Sequence, residues 1–354
     1  MTKVVVAMSG GVDSSVAAAL LQSQGYEVVG MMLRLWSEAG KEESNRCCTP
    51  EAMALARRVA AKLDIPFYVI DAKEIFRETV VQYFLDGYAR GETPNPCLIC
   101  NSQIRWTSLL EHALALGAEL MATGHYARTQ RLENGTINLL RGVDAAKDQS
   151  YVLHVLNQEK LARAMFPVGG HTKPEIRKMA EGFGLPTATR HDSQDLCFLA
   201  GDDYRRFLER NAGELLRAGP IIAKDGTVLG EHSGLAAYTI GQRKGLGVAS
   251  AVPLYVLGKE VATNTLRVGT VDDLGSNELT TRDAHWTSGR KPDGAFRASV
   301  KIRYTAKEAP AEVQPLENGE GVHIRFDAPQ RDITAGQAAV FYDGDVVIGG
   351  GIIR

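Results

Sequence analysis

Three cysteines and one glycine-flanked run of small polar residues carry the chemistry open to this chain. Ser9-Gly10-Gly11-Val12-Asp13-Ser14-Ser15 joins a short apolar run to a segment with helical spacing. Two consecutive glycines allow a sharp turn with no Cβ in the way, so N–H groups at the positive end of a helix dipole can face an anion. Ser9, Ser14 and Ser15 add hydroxyl donors, and the stretch reads as a phosphate cradle. A plain strand-to-helix turn with Asp13 and Ser14 in the first helical turn is the weaker reading, because it needs no glycine pair. The run is neither a Walker A loop, lacking the Gly-Lys-Ser/Thr ending, nor a GxGxxG turn. The second candidate is Cys97-Leu98-Ile99-Cys100, which follows the Pro-rich break Gly91-Glu92-Thr93-Pro94-Asn95-Pro96. Cys100 is expected at a helix N-terminus, where the dipole lowers a thiol pKa. A zinc half-site is the competing reading, but no second Cys-x-x-Cys or His pair completes it. Cys197 taken alone would be a small buried hydrophobe. The adjacent Cys47 and Cys48 point in different directions and read as bystanders near a helix start.

The elements that must position these residues alternate between strand and helix. Lys3 to Met8 is β-branched and apolar, as in a strand buried on both faces of a parallel sheet. Val12 to Gln24 has helical spacing and stops at Gly25. A second strand is expected around Val28 to Leu33, a polar loop over Ser37 to Arg46, and a helix from Thr49-Pro50-Glu51 to Leu63. Phe67 to Ile70 reads as a strand and Glu74 to Arg90 as a helix, followed by the helix that carries Cys100. Glu119 to Thr123 reads as a strand ending in Gly124-His125-Tyr126, and Arg128 to Arg141 as a hairpin turning at Asn134-Gly135. Lys147 to Tyr151 opens a helix, and Thr172-Lys173-Pro174-Glu175 is a capping box at the head of another. This alternation predicts an α/β fold, an N-terminal doubly wound parallel sheet, with ligands at the carboxyl ends of its strands. A short charged helix follows around Asp203 to Arg210, and from about residue 211 Gly-Pro and Asp-Gly punctuation among short alternating strands predicts two small β-rich domains. The expected division is 1–210, 211–275 and 276–354.

A chain of 354 residues suggests more than one core, and 44% hydrophobic with 23% charged residues is the composition of a soluble globular protein. The net charge of -2 gives no overall basic footprint and leaves room for a local one. No apolar run approaches the ~20 residues that span a bilayer. The N-terminal run is too short for a signal-peptide core, so no membrane association and a cytoplasmic location are expected. Five cysteines, an odd number, argue against a secreted disulfide framework.

The string SGGVDSS resembles the PP-loop of the ATP pyrophosphatase superfamily, adenine nucleotide alpha hydrolase-like proteins that split ATP to AMP and pyrophosphate while adenylating a substrate oxygen. With TPNPCLICN at 93–101, ATGHYAR at 122–128, KDQSY at 147–151, DSQDLCF at 192–198, YTIGQRKGLGV at 238–248, RYT at 303–305 and GQAAVFYDGDVVIGGGII at 336–353, the chain resembles the tRNA-specific 2-thiouridylases from end to end. That resemblance implies ATP-dependent adenylation of O2 of the wobble uridine (U34) in tRNA, then replacement of the oxygen by sulfur from a persulfide. It implies that Cys197 carries the persulfide, that Cys100 is the nucleophile and that a transient Cys100–Cys197 disulfide forms. Ala7, Met8, Ser9, Gly10, Gly11, Val12, Asp13, Ser14, Met32 and Gly124 match the ATP pocket, with Mg2+ as the companion ion. Asn95, Pro96 and Cys97 match positions that meet the target base. His125, Asp148, Gln149, Ser150, Arg303, Tyr304 and Gln337 match positions that touch tRNA, and the 211–275 unit corresponds to a tRNA-binding domain. The partners implied are tRNA and a sulfur donor, a cysteine desulfurase or sulfur-relay protein.

One departure bears on mechanism. Some family members have a catalytic aspartate where this chain has Cys97, and three thiolates from Cys97, Cys100 and Cys197 could instead hold a [4Fe–4S] cluster with one open iron. Persulfide and cluster routes stand as alternatives for one reaction. Without the resemblance, His125 would cap a strand end, Arg303 and Gln337 would be solvated strand residues, and the basic pair Arg243-Lys244 between glycines would be either a β-turn or a phosphate contact. An amide-forming ligase on the same scaffold leaves Cys100 and Cys197 without a task. An RNA-binding or iron–sulfur adaptor leaves the phosphate cradle without one.

Overall fold

The computed structural model describes residues 1–38, 40, 49–190, 196–199, 201–317 and 319–354. Cys47, Cys48, most of the polar loop expected before them and the start of the DSQDLCF run lie outside the described residues.

The N-terminal unit is a five-stranded sheet in the order β3-β2-β1-β4-β7, with every neighbouring pair parallel. Its strands are β1 (Lys3–Ala7), β2 (Glu27–Arg34), β3 (Phe67–Asp71), β4 (Leu120–Thr123) and β7 (Ala164–Met165). Val4, Val5 and Val6 are fully buried, as a strand covered on both faces requires. The order reverses between β1 and its two neighbours β2 and β4. The carboxyl ends of β1 and β4 therefore flank the crevice where sheets of this kind take their ligands. Helix α1 (Val12–Ser23) leaves this crevice, and α2 (Pro50–Lys62) starts where Thr49 Oγ1 accepts from Ala52 N at 2.9 Å.

Two helices beyond the sheet are not plain α-helices. The helix over 73–89 has a π segment at Arg77–Val81, and that over 96–115 has one at Cys100–Leu109. Such widened turns concentrate at functional sites. The capping box is formed at Thr172: its amide donates to Glu175 Oε2 at 2.7 Å, at the head of the helix Lys173–Gly182.

The β-rich remainder has two sheets. One has four strands in the order β10-β11-β8-β9: β8 (Gly219–Ala223), β9 (Val228–His232), β10 (Tyr255–Glu260) and β11 (Thr265–Gly269). The other contains β12 (Ser276–Trp286), β13 (Phe296–Lys301), β14 (Ala309–Pro315), β15 (Val322–Gln330), β16 (Ala338–Asp343) and β17 (Val346–Ile353), closed into a barrel by pairing of β12 with β17. The hairpin β5 (Ala127–Arg131) and β6 (Ile137–Arg141), which turns at Gly135 with φ +84°, extends this last sheet through β6 and β17. One apolar core accordingly runs from Trp106, Leu109 and Met121 of the N-terminal unit to Val340, Tyr342 and Val347 of the barrel.

Candidate functional site

The glycine-rich turn closes on its own hydroxyls. Ser15 Oγ donates to Gly11 O at 2.8 Å, Ser14 Oγ donates to Gly11 O at 3.2 Å, and Ser9 N donates to Ser14 Oγ at 3.2 Å. Gly11 is the N-cap of α1 and supplies no side-chain cap, so the first helical N–H groups stay available for an anion. Gly10 has φ +70°, and a Cβ there would lie 2.4 Å from Ala52 O. Gly124, at the end of β4, packs directly on the turn: a Cβ would lie 2.6 Å from Ser14 N and 2.8 Å from Asp13 C. The Met8, Val12 and Met32 side chains are buried in the core on the α1 face of the sheet, which leaves backbone as what they present to the crevice.

Three residues at this turn have no local signal in sequence. Lys173 Nζ sits 2.7 Å and 2.8 Å from the two carboxylate oxygens of Asp13, and Tyr126 Oη donates to Asp13 Oδ1 at 2.8 Å. Arg190 Nη1 donates to Gly10 O at 2.6 Å. Lys173 reads in sequence only as part of a capping box. The turn thus faces a lysine and an arginine drawn from more than 150 residues away, as the separations of 160 and 180 record.

The thiols stand on the adjoining elements. Asn95 Oδ1 accepts from Cys97 N at 3.1 Å and begins the helix at Pro96, so Cys97 occupies the first turn. Cys100, expected at the helix N-terminus, lies one turn further in, at the start of the π segment, because Pro96 at the first helical position starts the helix earlier. Asn101 Nδ2 donates to Cys97 O at 3.0 Å and fixes the turn between them. Cys100 is buried in an apolar cluster with Phe76, Val80, Phe84 and Phe198, and the half-buried Cys197 packs against the same cluster. The fold thereby brings two thiol-bearing segments, far apart in sequence, to one patch.

Cys97 is exposed and lies close enough to Tyr304 for its charge to act there. Burial, then the charges of Asp148 and Cys97, pushes the Tyr304 hydroxyl above its ordinary pKa. Among the described residues, no group of three His, Cys, Asp or Glu side chains is gathered closely enough to hold a metal ion.

Several residues matched to tRNA contacts are bonded inward. His125 is 5% exposed, its Nδ1 is 2.8 Å from Thr123 Oγ1, and burial followed by the Arg105 charge pushes its pKa down to about 3. Asp148 Oδ1 accepts from Gly142 N at 3.0 Å and from Ser150 N at 3.1 Å, while Ser150 is fully buried. Gln149 Oε1 accepts from Tyr126 N at 3.1 Å. Arg303 Nη2 donates to Ile240 O at 3.1 Å and also meets Thr334 Oγ1. Gln337 Nε2 donates to Thr93 O at 2.7 Å, which docks the barrel on the Pro-rich segment. Tyr304 is 40% exposed and stands edge-on to Tyr151.

Three family descriptions cover the chain in turn: the tRNA methyl transferase HUP domain matches residues 2–201, the tRNA methyl transferase PRC-barrel domain 205–270 and the aminomethyltransferase beta-barrel domain 276–353. The chain is 47% identical over 358 residues to the tRNA-specific 2-thiouridylase MnmA of Geotalea uraniireducens (strain Rf4), covering 99% of this chain and 95% of that protein. The chain belongs to the tRNA-specific 2-thiouridylase family. A second relative, tRNA-specific 2-thiouridylase MnmA 2 of Caldanaerobacter subterraneus subsp. tengcongensis, is 46% identical over 99% of this chain and 98% of its own length. The fold class is accordingly that of this family, a parallel-sheet N-terminal domain followed by β-barrel domains. Among the described residues, no helix is long and apolar enough to cross a membrane.

Proposed function

We propose that this chain uses ATP to adenylate O2 of the wobble uridine of tRNA and replaces that oxygen with sulfur, yielding 2-thiouridine, AMP and pyrophosphate. The observation that carries the reading is the convergence of Cys100 and Cys197 on one apolar cluster in a chain that also builds an open glycine turn at the switch point of a parallel sheet. Identity of 47% along almost the full length of a tRNA-specific 2-thiouridylase supports it.

A carbonyl oxygen is a poor leaving group until it becomes a phosphate ester. In the first step uridine O2 attacks the α-phosphorus of ATP, the bond from that phosphorus to the β-bridging oxygen breaks, and pyrophosphate departs. The unsatisfied N–H groups at the start of α1, with Lys173 and Arg190 beside them, stabilise the negative charge that grows on pyrophosphate. Asp13 is the side chain that would hold Mg2+. Its carboxylate has lone pairs beyond those given to Lys173 and Tyr126, and the ion supplies further neutralisation of the leaving group.

In the second step Cys197 carries a persulfide received from a cysteine desulfurase or sulfur-relay protein. The Cys100 thiolate attacks Cys197 Sγ, a Cys100–Cys197 disulfide forms, and the terminal sulfur leaves as hydrosulfide with the bonding pair. Hydrosulfide adds to C2, the C2–O bond breaks and AMP departs. An external dithiol then returns two electrons to the disulfide. The convergence of Cys100 and Cys197 on one apolar cluster supports this relay, and Cys97 then lines the base pocket with Asn95 and Pro96.

Tyr304, Arg303 and Gln337 are proposed to border the tRNA. His125, Asp148, Gln149 and Ser150 support the pocket from behind, a reading that their inward hydrogen bonds support. Catalysis belongs to 1–210, tRNA binding to 211–275 and the closing barrel to 276–354, in a cytoplasmic enzyme. The test is Cys100→Ser and Cys197→Ser: each abolishes 2-thiouridine formation while tRNA-dependent pyrophosphate release persists. A wild-type yield of 2-thiouridine in either variant overturns the proposal.

A further inference from the structure

Residues 92 and 93, immediately before the proposed base-facing segment, are the point where both β-rich units grip the N-terminal unit. Glu92 is 8% exposed, and its carboxylate takes Arg282 Nη1 at 2.9 Å and Nη2 at 3.0 Å from β12 of the barrel, with Arg90 Nη2 at 3.1 Å. Burial opposes the charge, yet the hydrogen bonds from Arg90 and Arg282 hold this carboxyl below the usual carboxylate range. Thr93 N donates to Ala335 O at 2.8 Å, and a Cβ on Gly336 (φ +88°) would lie 2.9 Å from Glu92 Cβ. The barrel therefore fixes this segment by its backbone as well as by charge.

The middle unit reaches the same point with one side chain. Lys259, near the end of β10, turns its half-buried ammonium to two carbonyls, Glu92 O at 3.3 Å and Tyr238 O at 3.1 Å. Tyr238 opens the 238–248 stretch that carries Arg243 and Lys244 between glycines. Arg303 of the barrel holds the same stretch at Ile240 O. A desolvated cation shared by two carbonyls from different units is costly unless both bonds are made, so it sets their distance more strictly than apolar packing would.

We propose that Lys259 is a positioning residue that holds the 238–248 stretch in register with the base-facing segment 95–97, so that tRNA phosphates gripped by the middle unit set where the target uridine lies. The proposal rests on the reading that tRNA is the substrate. It predicts a difference between RNAs. On this proposal the phosphates that the middle unit grips lie outside the anticodon stem-loop, so a full-length tRNA engages the middle unit and the reaction site together and a stem-loop engages the reaction site alone.

The experiment compares wild type with Lys259→Met on both RNAs, each unmodified, under thiolation conditions. Losing bonds to a charged donor is expected to lower kcat/KM on full-length tRNA at least about tenfold, carried by KM, while kcat/KM on the stem-loop stays within about twofold of wild type. An equal loss on both RNAs overturns the proposal, since that is what general damage to the fold or the reaction site produces. No change on either RNA overturns it too. If Lys259→Met does not fold, Lys259→Gln, which keeps one donor of shorter reach, is held to the same two-RNA criterion. If wild type thiolates neither RNA, the thiolation reading falls. The positioning role is then decided by fluorescence-anisotropy Kd values of the labelled RNAs, where weakening confined to the full-length tRNA sustains it and equal or absent weakening ends it.

Discussion

Replacing Gly124 by alanine probes how tightly the end of β4 is built against the glycine turn. The added Cβ would lie 2.6 Å from Ser14 N, 2.8 Å from Asp13 C and 3.0 Å from Ser14 Cα. All three atoms are backbone, so no flexible side chain can swing away. Reaching an ordinary 3.4 Å contact requires the turn to retreat by about 0.8 Å. Overpacking of this kind costs about 1–3 kcal/mol of stability. Displacement of a reacting group by about 1 Å costs up to ~100-fold in rate. Gly124→Ala is therefore expected to lower kcat/KM for ATP by about 10- to 100-fold, read as tRNA-dependent AMP release, in a protein that still unfolds cooperatively in urea. Gly182→Ala is the control, because a Cβ there meets nothing within 4 Å. A Gly124→Ala protein with the kcat/KM of wild type would refute the claim that this contact positions the ATP site.

Three further perturbations follow from the same geometry. Lys173→Met removes the cation that lies 2.7 Å from Asp13, and is expected to raise KM for ATP and cost about 1–3 kcal/mol, measured by AMP release and urea midpoint; unchanged values of both contradict it. His125 and His154 are held neutral by burial, with pKa values pushed down to about 3 and about 4. The unfolded chain binds protons at these sites below about pH 6.5 and the folded one does not, so stability present above pH 6.5 is lost as pH falls towards 4. A urea midpoint that stays level between pH 7 and 4 contradicts this, and His154→Gln is expected to flatten the slope. Arg282→Gln removes one of the two arginines on Glu92 and leaves the other; it is expected to raise KM for tRNA while KM for ATP stays constant, and the reverse pattern speaks against docking of the barrel on segment 92–93.

What could be read in advance was whatever lies within one element and its flanks. The β1 strand, the glycine turn and α1 are written in consecutive residues. So are the Thr49 cap, the Thr172 capping box and the Asn134-Gly135 hairpin turn. Contacts made by one side chain across a long separation leave no periodic trace: Lys173 on Asp13, Arg190 on Gly10, and Lys259 beside Glu92 are of this kind. The hairpin at 127–141 was legible as a hairpin, but its partner β17 was not, because edge pairing across some 200 residues depends on packing set by the whole chain. Cys100 illustrates a third limit. Its spacing from Cys97 is plain, whereas the helix start at Pro96 and the π segment that begins at Cys100 shift it out of the first turn into an apolar cluster.

The most direct test of the central claim is nucleoside mass spectrometry of an unmodified tRNA transcript incubated with the protein, ATP, Mg2+ and a persulfide-generating sulfur source, with AMP and pyrophosphate counted in the same tube. The account predicts 2-thiouridine at the wobble position alone, in step with AMP and pyrophosphate, and abolished by Cys197→Ser. An ATP-dependent product at any other atom, or AMP formed at the same rate without tRNA and with no thionucleoside, would contradict it.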